Sequence, residues 1–305
     1  MSEYICKVCS NQNKHKVFQA KEMMFGTEEV FDYFECGRCG SLQIVEIPQD
    51  QSKYYPDNYC SSFYQNNKKV KPSFWKGLIR KAKILIKKQP EFFQWLKKTK
   101  ANQNSKILDV GCGSGELLFL LNNCGFKKLL GIDPYIDQTK INQNGIKIIK
   151  AEISEIKEKF DLIILHHSFE HMIEPQETLA ELKKILTPKG EILIRMPIVN
   201  YAWKKYGPDW VQLDAPRHLF VPTLKGLKLL INNCGLKLVS ITFDSTEFQF
   251  LASEQYQKGI SLFDPKSFTR DKTAFSFWKI LKFKSRATVL NKKNLGDSAF
   301  LVLKK

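Results

Sequence analysis

Arginine is scarce in this chain. It stands at six of the 305 positions (38, 80, 195, 217, 270 and 286), and lysine supplies the rest of the 48 basic residues. Base readout and phosphate clamping favour arginine, whose planar guanidinium bonds bidentately. The net charge of +17 therefore argues less for a nucleic-acid partner than its size suggests. It suits an anionic small molecule such as a nucleotide-linked sugar. Long apolar runs are also missing, and no stretch approaches the roughly 20 residues of a membrane span. The first residues, Met1-Ser2-Glu3-Tyr4, lack the basic and apolar regions of a secretion signal. The expected location is the cytoplasm. No Gly-Lys-Ser/Thr triplet occurs, which excludes a phosphate-binding P-loop.

What is present centres on Ile107-Leu108-Asp109-Val110-Gly111-Cys112-Gly113-Ser114-Gly115. The apolar run reads as a buried strand. Three glycines at alternate positions let the backbone bend sharply where a Cβ would collide. A helical run, Leu117 to Cys124, follows and is closed by Gly125. Strand, glycine-rich bend and helix in that order make a cofactor cradle, because a helix N-terminus offers free N–H groups. The glycine spacing is one residue short of the dinucleotide fingerprint.

Four cysteines frame the N-terminal segment as Cys6-x-x-Cys9 and Cys36-x-x-Cys39. Two such knuckles supply the four thiolates of a closed, structural zinc site. Disulfides are disfavoured in a reducing compartment. Cys60, Cys124 and Cys234 are scattered, and His15 is a spare ligand. The segment from 74 to 88 has apolar residues at 74, 78, 82 and 85 with Lys and Arg between them. It predicts a basic amphipathic helix, packed on the main domain or touching an anionic membrane surface. Pro90 opens a second helix through Phe92, Phe93 and Trp95.

The segment Asp109-x-Gly111-x-Gly113-x-Gly115 resembles motif I of class I S-adenosylmethionine-dependent methyltransferases. The resemblance implies an α/β fold: a Rossmann-like, doubly wound sheet of seven strands whose last is antiparallel. Residues 1–48 would form a small zinc-ribbon-like module, 49–104 a linker and basic helical region, and 105–305 the methyltransferase domain. An insertion at about 245–294 would cover the substrate or decorate the surface. By the same resemblance, Asp109, Gly111, Cys112, Gly113 and Gly115 line the cofactor. Asp133, with Pro134 behind it, ends the second strand and takes the ribose hydroxyls, being an acceptor-only carboxylate. Ala151 and Glu152 follow the third strand, where adenine is recognised.

The fourth strand, Phe160 to Leu165, runs into His166-His167-Ser168-Phe169-Glu170-His171. This matches a Phe-Asp…Glu-His segment of small-molecule methyltransferases, and His166 and His167 are expected beside the cofactor. Pro175 opens the next helix and Glu191 to Met196 is the fifth strand; Leu236 to Phe243 and Ala299 to Leu303 complete the set. After strand five comes Asp214-Ala215-Pro216-Arg217-His218-Leu219-Phe220. A four-cysteine module, motif I and a loop histidine together resemble sugar methyltransferases acting on nucleotide-linked sugars. Arg217 stands where the C-methylating members carry Glu, so methylation of a sugar oxygen is as well supported as that of carbon. His218 is the expected general base. Arg217, Tyr201 and Phe220 would contact the substrate. No Asn-Pro-Pro-Tyr and no Pro-Cys occurs, against methylation of amino groups and of cytosine C5. The reading is a sugar-directed enzyme of glycan synthesis. Its alternative is an RNA methyltransferase gripping phosphate through the zinc module and basic helix.

Overall fold

The computed structural model describes residues 4–55, 92–141 and 145–305. The basic segment 74–88, Arg80, Cys60 and Pro90 lie outside them. The N-terminal segment contributes three antiparallel strands: β1 (Lys16–Lys21), β2 (Val30–Glu35) and β3 (Leu42–Ile44). Helix α1 (Phe92–Leu96) then leads into the large sheet.

That sheet starts with β4 (Lys106–Val110), the glycine turn and helix α2 (Glu116–Asn123). It continues through β5 (Lys128–Ile132), β6 (Lys140–Ile141), β7 (Lys147–Ile149) and β8 (Phe160–His166). Helix α3 (Pro175–Lys184) has proline in its first turn, where the missing N–H costs nothing, and precedes β9 (Leu186–Pro197). Helix α4 (Tyr201–Tyr206) and the two-residue strand β10 (Phe220–Val221) follow. Thr223 caps α5 (Leu224–Asn233) by accepting from the Gly226 N–H. Strand β11 (Lys237–Phe243), α6 (Phe248–Tyr256), α7 (Phe277–Lys292) and β12 (Ser298–Lys304) complete the chain.

The large sheet runs in the order β11-β12-β9-β8-β4-β5-β7-β6. Strands β4, β5, β7, β8 and β9 pair in parallel, and β12 lies antiparallel to both its neighbours. The Rossmann-like class expected from the sequence is therefore present, with two differences. The edge strand β6 is an eighth strand of two exposed residues, too short to leave an apolar pattern. Strand β9 begins at Leu186 rather than Glu191, and its pairing jumps from Phe160↔Leu186 to Leu162↔Glu191. The skipped residues include Pro188 and Gly190, and proline has no N–H for the ladder.

The small sheet departs further from the sequence reading. Its order is β1-β2-β3-β10, so its fourth strand comes from the loop after β9. Phe220 pairs with Gln43 and Val221 with Leu42. The insertion after β11 clamps the same seam. Leu262 N–H donates to Met23 O and Phe263 N–H to Met24 O, at 2.9 and 3.0 Å. Phe25 stacks on Phe263 with ring centroids 5.1 Å apart. One buried cluster joins Met23, Tyr33 and Leu42 of the module to Trp210 and Val221 of the loop and to Phe250 and Phe283 of the insertion. Aromatic residues of the insertion expected to cover the substrate, among them Phe250, Tyr256, Phe263 and Phe275, thus pack in the cluster that holds the module. No helix among the described residues is long and apolar enough to cross a membrane.

Within this seam the wholly buried Arg217 reaches Glu22 across the module boundary at 2.9 Å. Breaking one side of a buried ion pair leaves an uncompensated charge, at about 3–5 kcal/mol. Glu22→Ala should cost that order of stability and lower a single melting transition. A variant that melts like the parent, or in two steps, would show that the module docks loosely.

Candidate functional site

The site lies beyond the carboxyl ends of β4, β5 and β8, where open α/β sheets place ligands. Its first wall is the turn after β4. Gly111 has φ +70° and Gly115 +81°. A Cβ on Gly111 would stand 2.5 Å from the Ser168 Cβ, and one on Gly115 2.2 Å from Ile148 Cδ1. Both glycines are required by close packing as well as by their backbone. Asp133, just past β5, is aimed at this turn: one carboxylate oxygen accepts the Gly113 N–H and the other the Tyr135 N–H, each at 2.9 Å. A carboxylate offers about four lone-pair sites, so capacity for hydroxyl donors remains.

Asp109 lies beneath the turn and is buried. Burial first, and the Asp133 charge second, push its carboxyl up to about 8. It therefore carries a proton at neutral pH. Cys112 sits so close to β5 that a Cβ on Gly131 would lie 2.6 Å from its sulfur. Pro134 is half-buried beside Asp133. Ala151 is buried beyond β7, whereas Glu152 is exposed and forms a capping box with Glu155.

The second wall follows β8. Ser168 Oγ donates to Val110 O at 2.7 Å, which pins this segment to the glycine turn. His166 stacks on Trp95 with centroids 4.9 Å apart. His167 adopts φ +54° and places Nδ1 3.1 Å from Glu170 Oε1. Its Nε2 meets the Arg195 guanidinium, whose Nε donates to Asp244 at 2.7 Å. An arginine neighbour on Nε2 makes that nitrogen the acceptor, so Nδ1 carries the hydrogen. His171 Nδ1 lies 2.8 Å from Arg217 O and 3.0 Å from the Tyr55 hydroxyl. His218 Nδ1 lies 2.8 Å from Gln212 O. Carbonyls only accept, so both rings donate through Nδ1. His218 Nε2 then faces Glu170 Oε1 at 3.9 Å and Asp214 Oδ2 at 3.8 Å.

The chain has five histidines, and four of them gather here. Burial holds His166 and His167 far below the usual imidazole range. Burial, then the nearby His218, brings His171 down to about 4. These three rings are neutral at physiological pH.

The expected substrate residues are not brought together. Arg217 donates through Nε and Nη2 to Asp214 at 3.0 and 2.6 Å, as well as to Glu22. Its guanidinium is saturated internally, so it braces the loop that carries His218 instead of awaiting a substrate phosphate. Phe220 is core, edge-on to Phe169 at 5.3 Å. Tyr201 starts α4 and its hydroxyl meets Arg286 of α7. Sequence reasoning missed Glu22, Tyr55, Trp95, Asp214 and Asp244 as parts of this region. Arg195 had a readable signal, a lone charge inside the apolar run of β9.

The four N-terminal cysteines are buried and close together. Their sulfurs stand 3.7 Å (Cys6–Cys39), 3.6 Å (Cys6–Cys9) and 3.6 Å (Cys9–Cys36) apart. Tetrahedral zinc with Zn–S bonds of about 2.3 Å requires sulfurs roughly 3.8 Å apart. Gln43 Nε2 donates to Cys6 Sγ at 3.0 Å, the kind of outer contact that steadies a thiolate. Donor set and spacing both fit a closed zinc site.

The raised Asp109 carboxyl has a consequence for stability. An unfolded aspartate, at the ordinary value of 3.8, loses its proton long before the folded one at about 8. The folded state binds the extra proton between these values, so stability falls as pH rises through that window and levels off above it. Asp109→Asn should remove the fall, gaining a few kcal/mol over the parent at pH 9 relative to pH 4. Urea unfolding at both pH values measures it; a pH-independent difference would contradict the burial argument.

A family profile for a methyltransferase domain matches residues 80–241, just over half of the chain. Curated relatives include tRNA U34 carboxymethyltransferases. The one from Nautilia profundicola is 28% identical over 214 residues, 64% of this chain and 67% of that protein. The one from Campylobacter hominis is 32% identical over 112 residues, 33% of this chain and 39% of that protein. The chain thus spans about two fifths of the latter relative. Among solved structures, a methyltransferase bound to the Haloferax volcanii Trm112 activator overlaps with TM-score 0.47 at 14% identity, over 77% of this chain and 97% of that one. The mycolic acid cyclopropane synthase CmaA1, in complex with S-adenosylhomocysteine, overlaps with TM-score 0.46 at 14% identity, over 70% and 82%. The chain belongs to the methyltransferase-domain family.

Proposed function

We propose that this chain binds S-adenosylmethionine at the glycine turn and transfers its methyl group to a hydroxyl-bearing acceptor presented at Glu170, His171 and His218. The observation that carries the first half is Asp133, held by the Gly113 and Tyr135 N–H groups so that its carboxylate faces the turn. Two vicinal ribose hydroxyls suit that remaining capacity. When bound, the cofactor supplies a methyl carbon already activated by a positive sulfur. The protein's share is then orientation, exclusion of water and removal of the acceptor proton. His218 offers an Nε2 lone pair beside two carboxylates, and Arg217 with Tyr33 fixes its loop. The four-cysteine module binds zinc and acts structurally, holding that loop through β10.

For the acceptor we propose RNA. The relatives' names point to a tRNA nucleotide, and the chain's excess of 17 positive charges would draw a polyanion. This reverses the order given by the sequence, where a sugar acceptor came first and glycan synthesis was expected. A sugar acceptor keeps support from one feature. Arg195, Arg217 and Arg286, half of the six arginines, are engaged with Asp244, with Glu22 and Asp214, and with Tyr201. A cytoplasmic location agrees with either acceptor.

Two measurements test these statements. Calorimetry should detect S-adenosylhomocysteine binding that falls at least about tenfold in Asp133→Ala, roughly 1.4 kcal/mol; equal affinity would remove the ribose assignment. Labelled methyl groups should enter transfer RNA, whose binding should weaken steeply with salt. Labelling of nucleotide-linked sugars alone would select the other acceptor.

A further inference from the structure

The residues beside the acceptor face also have the form of a metal site distinct from the cysteine cluster. Ligand-capable atoms of Glu170, His171 and His218 all lie within 4.8 Å of one another. Glu170 Oε2 is buried and has no hydrogen-bond partner among the described residues. A carboxylate oxygen in such surroundings calls for a cation or a proton. Two imidazoles and one carboxylate, with positions left over, suit a first-row divalent transition cation.

The supporting contacts of such a site are already made. Metal-binding histidines direct the non-ligating N–H to a carbonyl or carboxylate, which fixes the ring and its tautomer. His171 and His218 each do so, through Nδ1 to Arg217 O and Gln212 O at 2.8 Å. Glu170 Oε1 is held by the His167 Nδ1–H at 3.1 Å, leaving Oε2 for a cation. Donor atoms bound to one ion at about 2.1 Å stand roughly 3 to 4.2 Å apart. His218 Nε2 stands 3.9 Å from Glu170 Oε1, which sets this ring against the carboxylate that carries Oε2. With all the ligand atoms within 4.8 Å of one another, the widest possible pair would close by about 0.6 Å to reach that span. Asp214 Oδ2 lies 3.8 Å from the same His218 Nε2, and the carboxylates of Asp214 and Glu22 are both engaged by Arg217.

We propose that Glu170, His171 and His218 bind one divalent first-row transition cation with open coordination positions that take the acceptor hydroxyl. The site rests on the acceptor face proposed above. Bound to the ion, the hydroxyl becomes a stronger acid. Its O–H bond breaks, the electron pair stays on oxygen and the proton leaves to water. His218 then acts as a ligand rather than as a free base. The soft thiolate cluster and this hard N/O cluster differ enough in chemistry to be loaded separately.

The test uses the full chain with its zinc retained, and Mn2+ alone as probe. Loss of the free-ion paramagnetic resonance signal should report one Mn2+ per chain in the absence of cofactor and acceptor. Glu170→Gln and His218→Gln should each weaken binding at least tenfold, while the exposed Glu158→Gln leaves it unchanged. Zinc content and melting temperature establish that the variants are folded; if a buried substitution fails there, the half-exposed His171→Gln takes its place. No Mn2+ bound at millimolar concentration, or equal binding by all variants, overturns the site. S-adenosylhomocysteine binding on the same samples separates the two proposals. Mn2+ without the nucleoside sinks the methyltransferase reading but not the ion, and the nucleoside without Mn2+ does the reverse.

Discussion

A single dry guanidinium organises the acceptor half of this protein. Arg217 is fully buried between Glu22 of the N-terminal module and Asp214 of its own loop. Its carbon lies 5.2 Å from the Phe25 ring centroid. Removing such a charge from water is expensive, and only near-complete hydrogen bonding offsets the cost. Here two carboxylates and the ring face do so. The loop that carries His218 is consequently fixed in one place. The Tyr33 hydroxyl adds a bond from the module to the His218 carbonyl at 2.9 Å.

This arrangement makes the zinc-type module part of the site's architecture. It supplies Glu22 to the triad, Tyr33 to the loop and β3 to the strand β10 that follows His218 and Leu219. The zinc proposed at its four clustered thiols would add rigidity to that segment. On the opposite side, Ser168 ties the histidine segment to the glycine turn, so the turn and the proposed acceptor face share one corner. Neutral, half-buried imidazoles line that corner; their lone pairs are available because desolvation keeps protons off.

The scarcity of arginine takes on a sharper meaning in the folded chain. Arg195, Arg217 and Arg286 brace loops, through Asp244, through Glu22 and Asp214, and through Tyr201. The positive charge is mostly lysine, a hydrated point charge suited to diffuse attraction rather than geometric readout. Any polyanion held here would be recognised by shape and by what enters the acceptor corner.

The sequence by itself determined the cofactor half. Strand, glycine turn, helix and the acid after β5 are contiguous or nearly so, and each is dictated by local rules of periodicity and backbone freedom. The cysteine spacing was legible for the same reason, since a knuckle is a four-residue object. Only the tertiary structure decided the acceptor half. Arg217 and Glu22 are 195 residues apart in the chain, and Tyr55 and His171 116 apart. Nothing local marks Glu22 as the partner of a buried arginine or turns Arg217 from a substrate clamp into a brace. Both follow from the cost of an unpaired charge in a dry interior, which takes effect once the sheets have brought those side chains together.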